Sequence, residues 1–263
     1  MTNKGQIMNS FLEEKAQYTR REIFKFKTKS SVGHLASCLS CVDIVVSLYY
    51  DEVSNFNHKN DYLIFSKGHG SPAVYPILAD LDYFDKSELD KYCTPEGILR
   101  LHSDGSIPGC HFVGGSLGNG IGYAAGIAKA SPDKNVFVIL GDAELYEGSV
   151  WETLLFINHH NLTNITLVVD RNKYGILGAT EDLLKLEPLH EKFVAFGFDT
   201  FTIDGHNFTE LRSCLFENNK KVKVIIANTI KGKGVSYMED KYEYHSIIPK
   251  SAQDLEQGIK DLS

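Results

Sequence analysis

Two residues with hard oxygen donors stand at matching places in the chain. Asp142 lies just past the apolar, β-branched run Val136–Leu140, and Asn172 just past the similar run Ile165–Val169. Such runs read as strands buried on both faces of a parallel sheet. Between them, Glu147 to His160 reads as a crossover helix. Residues 136–178 are therefore one βαβ unit, whose two strands end on the same side of the sheet. Ligands of open α/β sheets bind at those carboxyl ends. A carboxylate and an amide oxygen there can share one hard cation, and a nearby helix start can face a phosphate. Mg²⁺ takes six oxygens, so one carboxylate and one amide oxygen would hold it weakly alone. The competing reading makes Asp142 a helix cap and Asn172 a turn residue.

A second group of residues suited to proton and hydrogen-bond chemistry is histidine. His34 lies in the small-residue loop Ser31–Ser37, before a buried helix expected over Cys38–Tyr50. His69 lies in Ser66-Lys67-Gly68-His69-Gly70-Ser71-Pro72, directly after a short strand, Tyr62–Phe65. Two glycines at a strand end let backbone approach a ligand closely. His102 falls in a loop-like stretch, residues 93–115, and so long a loop in a compact domain reads as functional. Gly114 to Gly120 then opens a helix that runs to Ala130, and His245 follows the last expected strand. An imidazole titrates near neutrality and can hydrogen-bond or move a proton; the competing reading makes His34 a cap or surface residue, His69 structural and His245 a tail residue.

Gly141-Asp142-Ala143 with Asn172 resembles the thiamine-diphosphate-binding motif, Gly-Asp-Gly followed downstream by Asn. The flanks GDAELYEGSVWE and DRNKYGILG resemble the transketolase family in particular, in its amino-terminal, diphosphate-binding half. SKGHGSPAVYPILA, LRLHSD and TIKGKGVSYMED carry the same likeness, which covers nearly the whole chain. The resemblance implies thiamine diphosphate and Mg²⁺, or Ca²⁺ or Mn²⁺ in its place. It puts the metal on Asp142, Asn172 and the Tyr174 backbone carbonyl. It puts the cofactor against His69, Gly115, Ser116, Leu117, Gly141, Asp142, Ala143, Glu144, Asn172, Ile176 and His245, and makes His34, His102 and His245 catalytic. Ala143 stands where the motif's last Gly is expected; its methyl group would crowd a phosphate or exclude a positive φ. Leu35-Ala36-Ser37 replaces a Pro-Gly-Gly run. Glu147 resembles a dimer-interface glutamate or is a solvated helix-start residue. Lys231 and Lys233 either offset diphosphate charge or lie in a solvated turn.

The activity implied is transfer of a two-carbon ketol unit from a ketose to an aldose, free or phosphorylated. In that family the glutamate that activates the cofactor's aminopyrimidine comes from a separate pyrimidine-binding domain. The few dozen residues after Asn228 are too few for another α/β domain. The chain is thus expected to be one subunit of a split enzyme, an α₂β₂ heterotetramer with a carboxy-terminal transketolase-type partner. The same half-motif occurs in deoxyxylulose-phosphate synthase and in 2-oxo-acid dehydrogenases. A non-catalytic cofactor-binding or regulatory subunit is a further alternative, and a Mg²⁺ phosphotransferase with Asp142 as nucleophile is another, which would not explain Asn172 and the histidines together.

To position these groups the chain supplies five expected parallel strands, with Asp199–Ile203 and Lys223–Ala227 as the last two. Helices are expected over residues 7–27, twice within 72–92, and over Glu187–Phe196, Phe208–Glu217 and Ser251–Ser263. The fold class is α/β, a doubly wound, mostly parallel sheet with helices on both faces. One domain is expected over 1–263, with 229–263 as a C-terminal extension. A formal charge of −7 argues against a nucleic-acid surface. No apolar run approaches the ~20 residues that span a bilayer. The polar start, MTNKGQIMNS, and an odd number of cysteines point to a cytoplasmic location with reduced thiols. Cys38 and Cys41 and Trp151 are expected to pack in the core, and His111 to be a bystander.

Overall fold

The structure, a computed structural model, describes residues 3–26, 33–216, 221–246 and 251–263. Lys27, Ser31 with Val32, and Glu217, each within an expected element, lie outside them. Five strands form one parallel sheet: β1 (Tyr62–Phe65), β2 (Val136–Gly141), β3 (Ile165–Arg171), β4 (Asp199–Asp204) and β5 (Lys223–Asn228), in the order β1-β2-β3-β5-β4. β2 and β3 are direct neighbours, with Val136 opposite Ile165 and Gly141 opposite Asp170. Both strands run further than the apolar runs alone suggest, so Asp142 and Asn172 are each the first residue beyond a strand.

Alternate residues of each strand feed two separate cores, as the pleat requires. Phe137, Ile139, Val168 and Ile225 face one layer, and Val136, Val138, Leu167 and Val224 the other. The first layer is covered by α1 (Asn3–Phe26), α2 (Leu35–Ser40), α3 (Val42–Tyr50) and α4 (Tyr75–Asp80). In α1 the buried residues Leu12, Ala16, Thr19, Ile23 and Phe26 recur at steps of three or four, the spacing of one helix face. The second layer is covered by α5 (Asn119–Ala130) and α6 (Gly148–His159), beyond which come α7 (Thr180–Leu183) and α8 (Leu189–Ala195). Next, α9 (Phe208–Phe216) joins the first layer, and α10 (Ala252–Asp261) packs against α1.

The helix expected over Cys38–Tyr50 is two helices. The first begins at Leu35, because Leu35 and Ala36 are buried, and the chain breaks step at Cys41. The glycine-rich loop after β1 is a turn of 3₁₀-helix, Gly68–Val74. It approaches residue 114 so closely that a Cβ on Gly68 would sit 1.5 Å from the Gly114 carbonyl oxygen. α7 has no counterpart among the expected elements. Cys38 and Cys41 are buried free thiols in the first core. Trp151 packs on the second core, and its indole N–H donates to the Leu145 carbonyl at 2.7 Å. Among the described residues no helix is long and apolar enough to cross a membrane.

Candidate active site

At the carboxyl ends of β2 and β3, Asp142 and Asn172 line one cavity of about 340 Å³. Both are buried. Asp142 Oδ1 accepts from the Ala143 N–H at 2.8 Å. Asp142 Oδ2 accepts from the Lys173 N–H at 2.6 Å and from Arg171 Nη1 at 3.1 Å. An ionised carboxylate offers about four lone-pair positions, so one remains, on Oδ1. The Asn172 amide oxygen accepts from the Tyr174 N–H at 3.1 Å and keeps its second lone pair. Burial raises the Asp142 pKa, and the Arg171 guanidinium opposes that rise. Lys173, at φ +69°, takes the left-handed conformation that turns its N–H onto Asp142.

Beneath this pair lies a buried network that holds the strand tips in place. Lys67, directly after the β1 turn, pairs with Asp170 on β3, and both side chains are fully buried. Lys67 Nζ also donates to the Ser37 carbonyl at 3.0 Å. Asp170 accepts from Ser40 Oγ at 2.6 Å and from Thr229 Oγ1. Lys67 and Asp170 each favour the other's charged form, which holds the Asp170 pKa down and the Lys67 pKa up against burial. Glu144 ties three further segments together. It accepts from Ser66 Oγ at 2.5 Å, the Gly118 N–H at 2.8 Å and the Gly141 N–H at 3.0 Å.

Four imidazoles gather beside the cavity. Ring centroids are 5.5 Å apart for His34 and His69, 5.3 Å for His34 and His245, 5.2 Å for His69 and His245, and 6.0 Å for His34 and His102. They come from four separate segments, which the sheet brings together at one end. Burial lowers all four pKa values: His245 falls to about 3, and His69 well below the ordinary value. These rings are therefore neutral at pH 7 in this structure and act as hydrogen-bond partners, which corrects the expectation that they titrate near neutrality. Lys231 lies among them, 1% exposed, with Nζ 3.2 Å from His245 Nδ1 and 3.2 Å from Ser37 Oγ.

The chain has known relatives. Residues 16–258 match the family model described as transketolase, thiamine diphosphate binding domain. The chain is 31% identical to an apulose-4-phosphate transketolase subunit of Phocaeicola vulgatus, across 96% of this chain and 94% of that one. It is 34% identical to the 6-deoxy-6-sulfo-D-fructose transketolase subunit SqwG of Clostridium sp., across 90% of each. The chain belongs to the transketolase family. It is an α/β thiamine-diphosphate-binding domain of that family. Human transketolase is 30% identical over 95% of this chain, but only 42% of the human chain is covered. The crystal structure of Campylobacter jejuni transketolase superposes with a TM-score of 0.85 at 27% identity, over 96% of this chain and 43% of that one. The chain thus spans about two-fifths of such single-chain transketolases.

Against a transketolase site, most residues singled out in the sequence come together. His69, Leu117, Gly141, Asp142, Ala143, Asn172, Tyr174, Ile176 and His245 line the cavity, and His34 and His102 adjoin it through the imidazole cluster. Gly115 and Ser116 are exposed beside Leu117. Glu144 also reaches the cavity wall, but its oxygens are engaged by three internal donors, so it shapes the loop. Ala143 is absent from the positive-φ residues, so the backbone there accepts an alanine without strain. Of the two lysines, Lys231 is buried at the cavity, whereas Lys233 lies 4.0 Å from Glu239 in a half-exposed turn. His111 packs its ring on Tyr62, with centroids 5.1 Å apart. Arg171, Lys67 and Asp170 do not stand out in the sequence. The nearest signal is their run of charge at strand ends, where an unpaired charge could not be buried.

Proposed function

We propose that this chain is the diphosphate-binding subunit of a split transketolase, moving a two-carbon ketol unit from a ketose to an aldose. The observation that carries the reading is the pair Asp142 and Asn172 on adjacent strand ends, facing one cavity beside four clustered imidazoles. The relatives named as subunits support it, because the match extends along nine-tenths or more of their length.

The donors fit a hard cation and a diphosphate. Asp142 Oδ1 and the Asn172 amide oxygen each keep a lone pair, both residues line the cavity, and the Tyr174 backbone carbonyl is the third candidate donor. Among the described residues no cluster of three His, Cys, Asp or Glu forms a self-sufficient metal cage. A weakly charged, oxygen-only site suits Mg²⁺ held jointly with phosphate oxygens. Thiamine diphosphate, when bound, supplies the carbon nucleophile that accepts the ketol fragment. Lys231 would offset diphosphate charge, and Leu117 and Ile176, which line the same cavity, would pack on the cofactor's rings. His34, His102 and His245 would hydrogen-bond the sugar hydroxyls, and His69 would contact the diphosphate.

One domain carries this work, and residues 229–263 form an extension that returns Lys231 and His245 to the cavity. The partner is a carboxy-terminal transketolase-type subunit that brings the pyrimidine-binding domain and its glutamate, in an α₂β₂ assembly. Ile176 and Leu177 line the cavity and are 57% and 76% exposed, apolar surface that such a partner would cover. The test is turnover of a ketose donor with an aldose acceptor. The purified chain should be inactive by itself and active with its partner; ketol transfer without the partner would sink the split-enzyme reading.

A further inference from the structure

The Asp142 carboxylate already has a cation. Arg171, the last residue of β3, is 3% exposed at its side chain. Its Nη1 donates to Asp142 Oδ2 at 3.1 Å and to Thr180 Oγ1 at 2.6 Å. Its Nη2 donates to Glu181 Oε1 at 2.7 Å and to Glu187 Oε1 at 3.0 Å. A guanidinium does not lose its proton in a protein, so this charge is permanent. We propose that Arg171 competes with the divalent cation for Asp142 and makes metal binding depend on the diphosphate, with Glu181 and Glu187 setting the strength of the competition. This rests on the reading of Asp142 as the metal-bearing carboxylate.

Charge and distance decide the competition. The lone pair left on Asp142 is on Oδ1, and the guanidinium sits against Oδ2 of the same carboxylate. A divalent cation on Oδ1 would therefore stand within a few ångströms of a buried like charge. Repulsion between charges that close is only weakly screened in a protein interior. With one carboxylate and neutral oxygens on the protein side, the metal alone gains little to offset it. An arriving diphosphate reverses the balance, because its negative charge attracts both cations. Glu181 and Glu187 act from the other side. They draw the guanidinium away from Asp142 and partly neutralise it, and their side chains are 37% and 56% exposed, so solvent tempers their pull. Simple anchoring of the segment after β3 does not need a charge at this place. Tyr146 already holds the Thr180 carbonyl at 2.7 Å, and Glu181 already accepts from the Leu186 N–H at 3.2 Å.

The test is Mn²⁺ titration of the full chain, followed by electron paramagnetic resonance, with and without inorganic pyrophosphate. Arg171→Met should tighten Mn²⁺ alone by about ten-fold or more and shrink the gain from pyrophosphate. Glu181→Gln, which keeps the side chain's size and one acceptor oxygen for its neighbours, should weaken Mn²⁺ alone several-fold, because it frees the guanidinium for Asp142. Unchanged Mn²⁺ affinity in both variants, or weaker binding in Arg171→Met, would overturn the proposal and leave Arg171 an anchor. Mn²⁺ binding that is indifferent to Asp142→Asn would overturn the metal reading as well, so the two failures are distinguishable.

Discussion

Lys231 Nζ lies 3.2 Å from the ring nitrogen Nδ1 of His245, and among the described residues no carboxylate lies within 4 Å of it. Burial first, and Lys67 second, pull the Lys231 pKa down to about 8. An ammonium in that setting is held in the fold at a cost and is ready for an anion.

Replacing it should thus separate stability from binding. Lys231→Met should leave the chain as stable or more stable without cofactor, because a buried charge whose burial and repulsion from Lys67 outweigh its attraction to Asp142 and Asp170 is gone. Its affinity for thiamine diphosphate should fall about ten-fold or more. Thermal unfolding and calorimetry of the reconstituted complex read the two effects. A loss of stability with unchanged affinity would make Lys231 a structural residue.

The Lys67–Asp170 pair behaves in the opposite sense. Both partners are fully buried, and Asp170 also serves Ser40 and Thr229. Asp170→Ala strands a buried ammonium and two hydroxyls, and should lower stability by about 3–5 kcal/mol. Lys67→Met with Asp170→Leu should recover a large part of that loss, since replacing both charges removes the stranded ion. Denaturant unfolding of the single and double variants measures the difference. A double variant no more stable than Asp170→Ala contradicts this prediction.

Acid should destabilise the chain earlier than carboxylate titration alone predicts. An unfolded chain protonates His69 near its ordinary value of 6.5, whereas burial and then Lys67 keep the folded imidazole neutral to much lower pH. Between those two pH values the unfolded state holds the extra proton. His69 thus leaves stability intact above about pH 6.5 and removes about 1.4 kcal/mol per pH unit below it. His34, His102 and His245 shift in the same direction and add to the slope. Unfolding free energies between pH 7 and pH 5 should be shallower in His69→Asn by close to one proton. Equal slopes would mean that the imidazole is solvated.

How much of the fold and site is legible in the chain depends on whether the signal is local. β2 and the first five residues of β3 form β-branched, largely apolar runs, so the strands, the crossover and the placing of Asp142 and Asn172 can be read directly. The imidazole cluster is legible only through resemblance, because His34, His69, His102 and His245 come from four distant segments. Pairings across the fold are not legible at all. Nothing beside Lys67 points to Asp170, and nothing beside Arg171 points to Asp142, since both partners meet only when the sheet forms. The break at Cys41 escapes the sequence for a related reason: the apolar density of residues 38–50 is that of a buried helix, and density does not report where one helix ends and the next begins. Glu144 is legible as a residue near the cavity, but its three internal donors cannot be foreseen.

Asp142 brings the local and the distant together, and its removal makes two predictions of different kinds. Asp142→Ala deletes the only carboxylate of the proposed metal set, so Mg²⁺-dependent affinity for thiamine diphosphate in the reconstituted complex should fall beyond detection. It also removes the acceptor of the Ala143 and Lys173 N–H groups and of Arg171. Each buried donor left unpaired costs about 1–3 kcal/mol. Lys173 has a further reason to move, because its left-handed φ of +69° is held by that same hydrogen bond. Asp142→Ala should therefore also lose stability, with hydrogen exchange rising at Ala143 and Lys173. Asp142→Asn keeps an acceptor oxygen and should preserve more of the stability while still losing the metal. Calorimetry showing unchanged Mg²⁺-dependent cofactor affinity in either variant would remove Asp142 from the site, and with it the central support for the proposed function.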